Sequence, residues 1–494
     1  MQIQNLNGKV FVTVLVVITL INFYHLYLGK RDFSPITLAT LPDRQAQLRH
    51  ELYSLLEKYA PQCPSPELGR SAGMPRFDAL DDPPRKNYID NTDELLQPMQ
   101  TAHDGFVKEI RKSWTGHPYI VATQGIVSAA GGTYMPTFVI TLRILRRTGC
   151  QLPVELFVKD STEYEPYICE TVLPALNAKC IILSEIMTLN PDPTSNTTAT
   201  IEHFQIKSFA LLFSSFDSTI WLDADNLPLH DPTPLLSSKP FTSKGLLTWP
   251  DFWASTISPT YFNISQQPDF PTNARASTEA GMLLVSKRTH FPTLLLATYY
   301  NYHGPSHYYT LLSQGAPGEG DKDTFLPAAS ALGNPFHTVS EPVADLGRPH
   351  HPNDEYADDD IVGSAMLQAD PVEDYELTSR GKWRVKDGSV AEPPRGFFVH
   401  AYNPEFNPGV DLLGEKTHDR DGNATRVYTG PKRALRRIGF DAERGFWEEV
   451  REVACVLEGV FESWRDKEGL CEGVKRHWES VFENPDAEVL EFTD

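Results

Sequence analysis

A short apolar strand that ends in two aspartates is the feature that most constrains this chain. The stretch from Thr219 to Leu222 reads as a buried strand, and Asp223-Ala224-Asp225 follows it directly. Because side chains alternate in an extended chain, Asp223 and Asp225 point to the same side, where they repel each other unless something positive neutralises them. A divalent cation that also binds a diphosphate would do so, since Mg²⁺-type ions combine one or two carboxylates with substrate phosphates. The alternative is that the pair caps the turn or helix that begins at Asn226.

The net charge and the cysteine pattern exclude some classes of function. The chain has 494 residues and a formal net charge of -21, which argues against a nucleic-acid partner because phosphate backbones attract basic surfaces. None of the six cysteines forms a CxxC pair, so the sequence does not predict a cysteine metal cluster. Their even number is compatible with disulfides in a secretory compartment, but the spacing does not define the pairing.

An apolar run near the N-terminus, Val10 to Leu28, predicts a membrane anchor. As a helix, its roughly 19 residues would extend about 28 Å, close to the hydrocarbon thickness of a bilayer. No small-residue cleavage site follows the run, which favours an uncleaved anchor over a signal peptide. Basic residues flank both ends, so the orientation depends on the Asn-x-Ser/Thr sequons at Asn196, Asn263 and Asn423, which favour a lumenal body.

Behind a polar, proline-rich stretch, the order of predicted elements is that of an α/β domain. A strand, a glycine turn, a helix and a second strand form a βαβ unit, which predicts parallel strands. Ligands bind beyond the carboxyl ends of such strands, which places Gly131-Gly132 at a nucleotide site, although a bare glycine pair is also common in tight turns. The acid-rich segment from Asp354 to Glu376 is interpreted as a solvated loop. The predicted strands are Tyr119 to Ala122, Gly125 to Ala130, Val154 to Val158, Cys180 to Leu183, Thr219 to Leu222, Leu246 to Trp249, Glu279 to Ser286 and Gly396 to His400, and the predicted helices are Gln45 to Tyr59, Asp93 to Trp114, Met135 to Arg147, Glu202 to Ser215, Leu294 to Tyr302, Gly445 to Trp464 and Leu470 to Phe482.

Four blocks of the sequence, Ser215 to Pro228, Leu247 to Trp253, Thr298 to Tyr302 and Leu311 to Phe325, carry a resemblance to a known family. They resemble the fungal Golgi α-mannosyltransferases that build α-1,2- and α-1,3-linked outer-chain mannan, and the likeness is closest to the α-1,2 branch. The resemblance implies a GT-A-like α/β fold, in which a Rossmann-like mixed sheet is flanked by helices. It also implies a GDP-mannose donor, dependence on Mn²⁺, retention of the anomeric configuration and a type II Golgi membrane protein with a lumenal catalytic head.

On this basis we divide the chain into five predicted segments. They are a cytoplasmic tail over 1–9, a transmembrane signal-anchor over 10–28, a stem over 29–116 that is partly ordered at best, a GT-A catalytic domain over 117–412 and a C-terminal helical extension over 413–494. The expected partners are the nucleotide-sugar donor, a mannan or N-glycan acceptor and the membrane, with a Golgi glycosyltransferase complex as a further candidate.

The resemblance also implies roles for individual polar residues. Asp223 and Asp225 match the Asp-x-Asp metal site, and His400 stands where many GT-A enzymes place another metal ligand, with a hydrogen-bonded core histidine as the alternative. The candidate catalytic acids are Glu319, Asp321 and Asp323, of which Asp321 or Glu319 would be the nucleophile, and helix capping is their alternative role. A further set is predicted to face the donor or to shape the sugar pocket, with ion pairs, solvated surface and core packing as alternatives: Gly131, Gly132, Arg143, Lys207, Asp223, Trp249, Asp251 and Trp253. Glu279 is a candidate for binding the donor or hydroxyls of the sugar, with helix capping as its alternative role.

The predicted reaction is the transfer of mannose from GDP-mannose to an α-mannoside acceptor of protein-linked glycans. A cation on the Asp223/Asp225 site would bind both phosphates and assist the leaving group, and positioning of the acceptor hydroxyl would supply much of the remaining acceleration. Same-face attack and a covalent carboxylate intermediate both remain open. The alternatives are an α-1,3 linkage, another nucleotide-sugar donor and a membrane-anchored sugar-binding subunit without catalytic activity.

Overall fold

The computed structural model describes residues 40–112, 118–188, 201–349, 361–419, 421–485, 490 and 492. The predicted tail, the transmembrane segment, the first part of the stem and the sequon at Asn196 lie outside these ranges. Within the described ranges, none of the helices combines the length and the apolarity that a membrane span requires.

The described chain alternates strands and helices. The strands are β1 (Ile120–Ala129), β2 (Val154–Val158), β3 (Ala178–Ile182), β4 (Phe216–Leu222), β5 (Asn226–Pro228), β6 (Leu246–Ala254), β7 (Ala276–Ser286), β8 (His337–Thr338), β9 (Ala344–Pro349), β10 (Ile361–Ala369) and β11 (Gly396–Asn403). The α-helices are α1 (Leu41–Lys58), α2 (Thr92–Ile110), α3 (Tyr134–Arg147), α4 (Leu173–Ala175), α5 (Leu183–Met187), α6 (Gln205–Phe213), α7 (Lys239–Lys244), α8 (Pro259–Ser265), α9 (Lys287–Tyr302), α10 (Tyr309–Ser313), α11 (Phe325–Leu332), α12 (Pro371–Ser379), α13 (Lys432–Ile438), α14 (Ala442–Leu457) and α15 (Leu470–Phe482).

A seven-stranded mixed sheet in the order β3-β2-β1-β4-β7-β6-β8 forms the centre of the molecule. The strands β3, β2, β1 and β4 are parallel, which confirms the predicted βαβ unit, and β7 runs antiparallel to both β4 and β6. The carboxyl ends of β1, β4 and β6 and the amino end of β7 therefore meet at one edge of this sheet.

The large sheet buries apolar side chains on both faces, as expected for parallel strands covered by helices. Ile220 and Leu222 of β4 belong to one core, which also contains residues of α3 and α14. Trp221 belongs to the other core, which contains residues of α1, α2, α6 and α9. Because successive side chains of a strand enter opposite cores, a strand can bury a nearly continuous apolar run.

A second, four-stranded antiparallel sheet, in the order β5-β11-β10-β9, was not predicted. The interpretation of Asp354 to Glu376 as a loop is wrong from residue 361 onward, where β10 and α12 lie, and residues 354–360 fall outside the described ranges. All residues from Ala365 to Ala369 of β10 are buried, and Ala365, Leu367 and Ala369 belong to the same apolar core as Ile220. One acid of the described part of this segment, Asp370, caps α12 by accepting from the first backbone amides of that helix.

Helices α1 and α2 pack against α5, α8 and α9, while the division of the chain into a stem and a head stays a prediction. Helices α1 and α2 bury Leu52, Leu56, Met99 and Phe106 in the same core as α9. A complete apolar face on each helix stabilises this packing in spite of the polar, proline-rich composition around it.

The C-terminal helices α14 and α15 are joined by a disulfide between Cys455 and Cys471, and a second disulfide links Cys169 to Cys180. The helix predicted for Gly445 to Trp464 ends earlier, at Leu457. The physical reason is Gly459, which has a φ of 74° and turns the chain into a short 3₁₀ segment.

Candidate functional site

The turn after β4 brings the three predicted metal ligands together. The Asp223 amide donates to the Gly281 carbonyl of β7 at 2.8 Å, and the Asn226 amide donates back to the Asp223 carbonyl at 3.1 Å. Strand β5 begins at Asn226 and pairs with His400 of β11. One ligand atom each from Asp223, Asp225 and His400 therefore lies within 4.8 Å of the others.

His400 is held between two carboxylates. Its Nε2 lies 3.1 Å from Asp225 Oδ1, and its Nδ1 lies 3.0 Å from Glu279 Oε1. Burial alone would lower the pKa of His400, but Asp225 and Glu279 outweigh it and raise that pKa well above its usual value. Burial would likewise raise the pKa of Glu279, yet contact with His400 lowers it to about 2. Glu279 thus orients the imidazole, as carboxylates commonly do for metal-binding histidines.

Lys207, from α6, neutralises part of this acidic cluster. Its Nζ donates to the Ala280 carbonyl at 2.7 Å and lies 3.3 Å from Asp223 Oδ1 and 2.9 Å from Asp321 Oδ2. Burial would lower the pKa of Lys207, but Asp223 and Asp321 raise it above the usual range. Lys207 is therefore a permanent cation at this edge of the sheet.

The donor set of the cluster fits a divalent cation. We call its six side chains the ionised cluster: Lys207, Asp223, Asp225, Glu279, Asp321 and His400. Its carboxylates outnumber its basic groups even when His400 is protonated, so negative charge remains for a cation to neutralise. Carboxylate oxygens suit ions such as Mg²⁺ and Mn²⁺, and an imidazole ligand is also common for transition metals. The side chain of Asp223 is 29% exposed, so the site is open to ligands from solvent.

The three candidate catalytic acids occupy different surroundings. Asp321 forms the ion pair with Lys207 and so belongs to the ionised cluster. Asp323 accepts from the Thr278 amide at 3.2 Å and is 2% exposed. Glu319 accepts a hydrogen bond from the Gly315 amide at 2.9 Å and so stabilises the loop that contains both residues. Of these acids, only Asp321 contacts a member of the ionised cluster in the described chain.

Two of the residues predicted to face the nucleotide lie at the same edge of the sheet as Asp223. Gly131 and Gly132 follow the end of β1, which is the parallel neighbour of β4. Gly132 has a φ of 55°, which favours glycine, whereas a Cβ at Gly131 would require only that the Glu163 side chain move. Arg143, by contrast, projects from α3 to an ion pair with Glu449 of α14 at 2.8 Å.

The predicted pocket residues on β6 divide between the core and the surface. Trp249 is 1% exposed and donates its indole N–H to the Ala369 carbonyl at 2.9 Å. Asp251 accepts from Lys322 Nζ at 2.7 Å, and burial raises the pKa of Asp251 to about 6. The Arg76 guanidinium lies over Trp253, 4.9 Å from the centre of the tryptophan ring.

Four residues next to the metal ligands were missed by sequence reasoning. Trp221 donates its indole N–H to Asp223 Oδ1 at 2.7 Å. Gly281 has no room for a side chain, because a Cβ would lie 2.7 Å from both His400 and Glu279. Glu405 is hydrogen-bonded to Tyr134, and burial together with the charge on Asp225 raises the pKa of Glu405 to about 7. Their residue types carry no signal of this role, since a tryptophan inside an apolar strand predicts core packing.

The chain matches the family model described as "Mannosyltransferase putative" over residues 123–276 and 269–370. It is 32% identical over 465 residues to the alpha-1,2-mannosyltransferase MNN21 of Candida albicans, a match that covers 81% of this chain and 69% of that protein. It is 33% identical over 436 residues to the alpha-1,2-mannosyltransferase MNN5 of Saccharomyces cerevisiae, covering 72% of each.

Solved structures share a more distant likeness with the chain. The glycosyltransferase GlyE of Streptococcus pneumoniae matches 70% of this chain and 66% of its own, with 11% identity and a TM-score of 0.33. This likeness is too low to support an argument about substrate or mechanism.

Proposed function

The chain belongs to the fungal α-1,2-mannosyltransferase family, and we propose that it transfers mannose from GDP-mannose to an α-mannoside glycan acceptor through a Mn²⁺-dependent, retaining reaction that forms an α-1,2 linkage. The observation that carries the proposal is the convergence of Asp223, Asp225 and His400 at the carboxyl edge of the parallel strands. A donor diphosphate bound there would reach the glycine turn after β1, where parallel α/β sheets bind their ligands.

In this proposal Asp223, Asp225 and His400 hold the metal ion, which when bound supplies Lewis-acid assistance to the departing diphosphate. Glu279 holds Nδ1 of His400 and leaves Nε2 directed at the metal site. Lys207 adds a fixed positive charge, and the indole N–H of Trp221 sets the orientation of the Asp223 carboxylate.

Among the candidate acids, Asp321 is the best placed to act near the reacting sugar, because it shares Lys207 with Asp223. Glu319 braces its own loop and Asp323 accepts from the β7 backbone, so we propose positioning roles for these two. Gly131 and Gly132 would border the donor. Arg143, paired with Glu449, would stabilise the contact between α3 and α14.

The cellular setting is also a proposal. We propose a GT-A catalytic domain over 117–412 that is anchored by 10–28 and faces the Golgi lumen as a type II membrane protein. The mixed α/β sheet, the two disulfides and the exposed sequon residues Asn263 and Asn423 support this arrangement. In this proposal the protein would also associate with a Golgi glycosyltransferase complex.

The test is a transfer assay with the purified full chain, GDP-mannose, an α-mannoside acceptor and Mn²⁺. Asp223→Ala and Asp225→Ala should each reduce transfer by about 10²–10³-fold, since metal assistance contributes several kcal/mol. The matched control is Asp466→Ala, which removes an exposed carboxylate outside the cluster and should leave the rate unchanged. Near-normal transfer by both cluster variants, with an unchanged unfolding midpoint, would contradict the metal role.

The donor and the linkage need separate measurements. With Mn²⁺ present, GDP should raise the melting temperature more than UDP does, because only the ligand that binds the folded state stabilises it. Linkage analysis of the product should then show α-1,2-linked mannose. Mannan binding without any GDP release, for every acceptor offered, would instead identify a sugar-binding subunit.

A further inference from the structure

A cavity of about 740 Å³ opens beside the ionised cluster, at the same edge of the large sheet. This volume is typical of small-molecule sites. Its walls come from the end of β6, the start of β7, the segment after β8 and the turn that carries Trp383. Trp249 of β6 pairs with Glu279 of β7, and Glu279 contacts His400, so the cavity and the candidate metal ligands share one stretch of β7.

Buried polar groups without hydrogen-bond partners line this cavity. Ser277 and Thr278 are 2% and 3% exposed, and their hydroxyls make no hydrogen bond to any described residue. Nη1 of Arg275 is also buried and unbonded within the described chain. Buried donors and acceptors are nearly always paired in folded proteins, so these unpaired groups on nearby residues of the cavity lining favour a ligand with complementary hydroxyls.

Aromatic side chains complete the cavity. Phe252 lies on the β6 wall, and Trp383 stands at the rim with 49% of its surface exposed. The turn that carries Trp383 is fixed by an ion pair between Arg384 and Glu341 at 2.9 Å. An exposed indole beside buried hydroxyls matches a sugar, which has an apolar C–H face and a rim of hydroxyls.

The order of the strands places this cavity away from the proposed nucleotide side. β4, which leads into Asp223, has β1 and its glycine turn on one side and β7, β6 and β8 on the other. The cavity lies on the β7-β6-β8 side. A donor that binds at the glycine turn and an acceptor in the cavity would therefore meet at the ionised cluster from opposite directions.

We propose that this cavity is the acceptor site and that it binds an α-linked oligomannoside, a proposal that rests on the proposed mannosyl transfer. Ser277, Thr278 and Arg275 bind hydroxyls of the acceptor, and Trp383 stacks on the face of one of its sugars.

The first test is the double variant Ser277→Ala/Thr278→Val, assayed for transfer to α-mannotriose. The two hydroxyls form no hydrogen bond within the described chain. If they have no part in acceptor binding, the acceptor KM should therefore stay the same. If they bind the acceptor, its KM should rise about tenfold. The donor KM should stay constant. Trp383→Ala should act in the same way, while Phe440→Ala, which removes an aromatic of similar exposure (42%) beside a separate cavity, should not.

A second measurement separates this proposal from the proposed function. Titration of α-mannotriose into the full chain without donor should show binding that both cavity variants weaken and that Phe440→Ala does not. If wild type transfers mannose and both variants keep their acceptor KM, the acceptor site is wrong and the transferase stands. If wild type binds mannotriose through the cavity but transfers nothing, the transferase is wrong and the sugar site stands. Loss of GDP binding in the double variant, with mannotriose binding unchanged, would overturn the acceptor assignment.

Discussion

Two of the groups of polar side chains that the described chain buries contrast with each other. The ionised cluster at the end of β4 offsets burial with opposite charges: Glu279 has its pKa lowered to about 2, and the pKa of His400 is raised. The second group, which we call the neutral cluster, contains His103, Tyr261 and Tyr300. There burial lowers the pKa of His103 to about 4 and raises those of both tyrosines, so all three side chains are uncharged near pH 7.

The contrast supports the proposal that the ionised cluster is the reactive site. The Tyr300 hydroxyl is hydrogen-bonded to His103 Nε2 at 2.8 Å and to the Tyr261 hydroxyl at 3.0 Å, so these contacts within the protein join α2, α8 and α9. The ionised cluster keeps unmatched negative charge and opens to solvent at Asp223. Charged groups with strongly shifted pKa values beside a cleft are typical of functional sites, whereas neutral networks are typical of structural ones.

The largest effect is expected from Lys207→Met in the ionised cluster. The substitution leaves Asp223 and Asp321 without their shared cation, so the free energy of unfolding should fall by about 3–5 kcal/mol and transfer should be lost. Chemical denaturation measures the first effect and the transfer assay the second. Lys475→Met, which breaks an exposed ion pair on α15, is the control and should cost less than about 1 kcal/mol.

The double variant Lys207→Met/Asp321→Asn sharpens this test. It removes one of the two uncompensated acids, so part of the stability should return while transfer stays lost. Equal stability of wild type and Lys207→Met would show that the lysine does not balance these carboxylates, and the distinction between the two clusters would fail.

The neutral cluster should instead make the protein sensitive to acid. Above about pH 6.5, His103 is neutral in both the folded and the unfolded chain. As the pH falls from there toward 4, the unfolded chain takes up a proton that the folded chain does not, so stability falls. At about 1.4 kcal/mol per pKa unit, the loss amounts to at most about 3 kcal/mol by pH 4.

This prediction is checked by comparing the unfolding midpoints of wild type and His103→Gln at pH 7 and at pH 4. The variant should be less stable at pH 7 but should lose less stability over that interval. Asp104, whose carboxylate lies 3.7 Å from His103 Nδ1, is half exposed and does not offset the burial. A variant with the same pH dependence as wild type would remove His103 as the cause.

A smaller effect is expected from Glu279→Gln, which keeps the shape of the side chain but removes its charge. The hydrogen bond that orients His400 through its Nδ1 becomes weaker, while the three proposed metal ligands remain. The Mn²⁺ concentration for half-maximal transfer should therefore rise about 10- to 100-fold. Saturating Mn²⁺ should restore most of the rate. A loss of rate that Mn²⁺ does not restore would assign Glu279 a direct role in the reaction.

Local sequence patterns predicted the parallel strands and the pair of carboxylates after β4, whereas His400 was named from the family resemblance. Short apolar runs indicate buried strands, and Asp223 follows the end of β4 directly, but His400 lies within β11. The contacts among these residues were not predictable, because Glu279 and His400 are brought together by pairings between strands far apart in the chain. The same reason explains the missed four-stranded sheet, in which β5 pairs with β11 about 170 residues later.

Arg143 and Trp221 illustrate the limit for single residues. Arg143 lies on a helix whose outer face is covered by α14, so its ion pair with Glu449 depends on a helix about 300 residues away. Trp221 has the residue type of a core position and is buried, yet its indole N–H donates to the carboxylate of Asp223, two residues later on the same side of the chain. Residue type predicts burial for Trp221 but not this hydrogen bond, and the partner of Arg143 depends on tertiary packing.

The smallest effect is expected from Tyr300→Phe in the neutral cluster. The substitution removes the hydroxyl shared by His103 and Tyr261, so the free energy of unfolding should fall by about 1–2 kcal/mol. Transfer kinetics should not change, since Tyr300 contacts no member of the ionised cluster. The control is Tyr53→Phe, because the Tyr53 hydroxyl is buried without a hydrogen-bond partner in the described chain and its removal should cost almost nothing. A change in acceptor or donor KM with Tyr300→Phe would show that the neutral cluster also acts on the reaction, and the division between a structural and a chemical group would no longer hold.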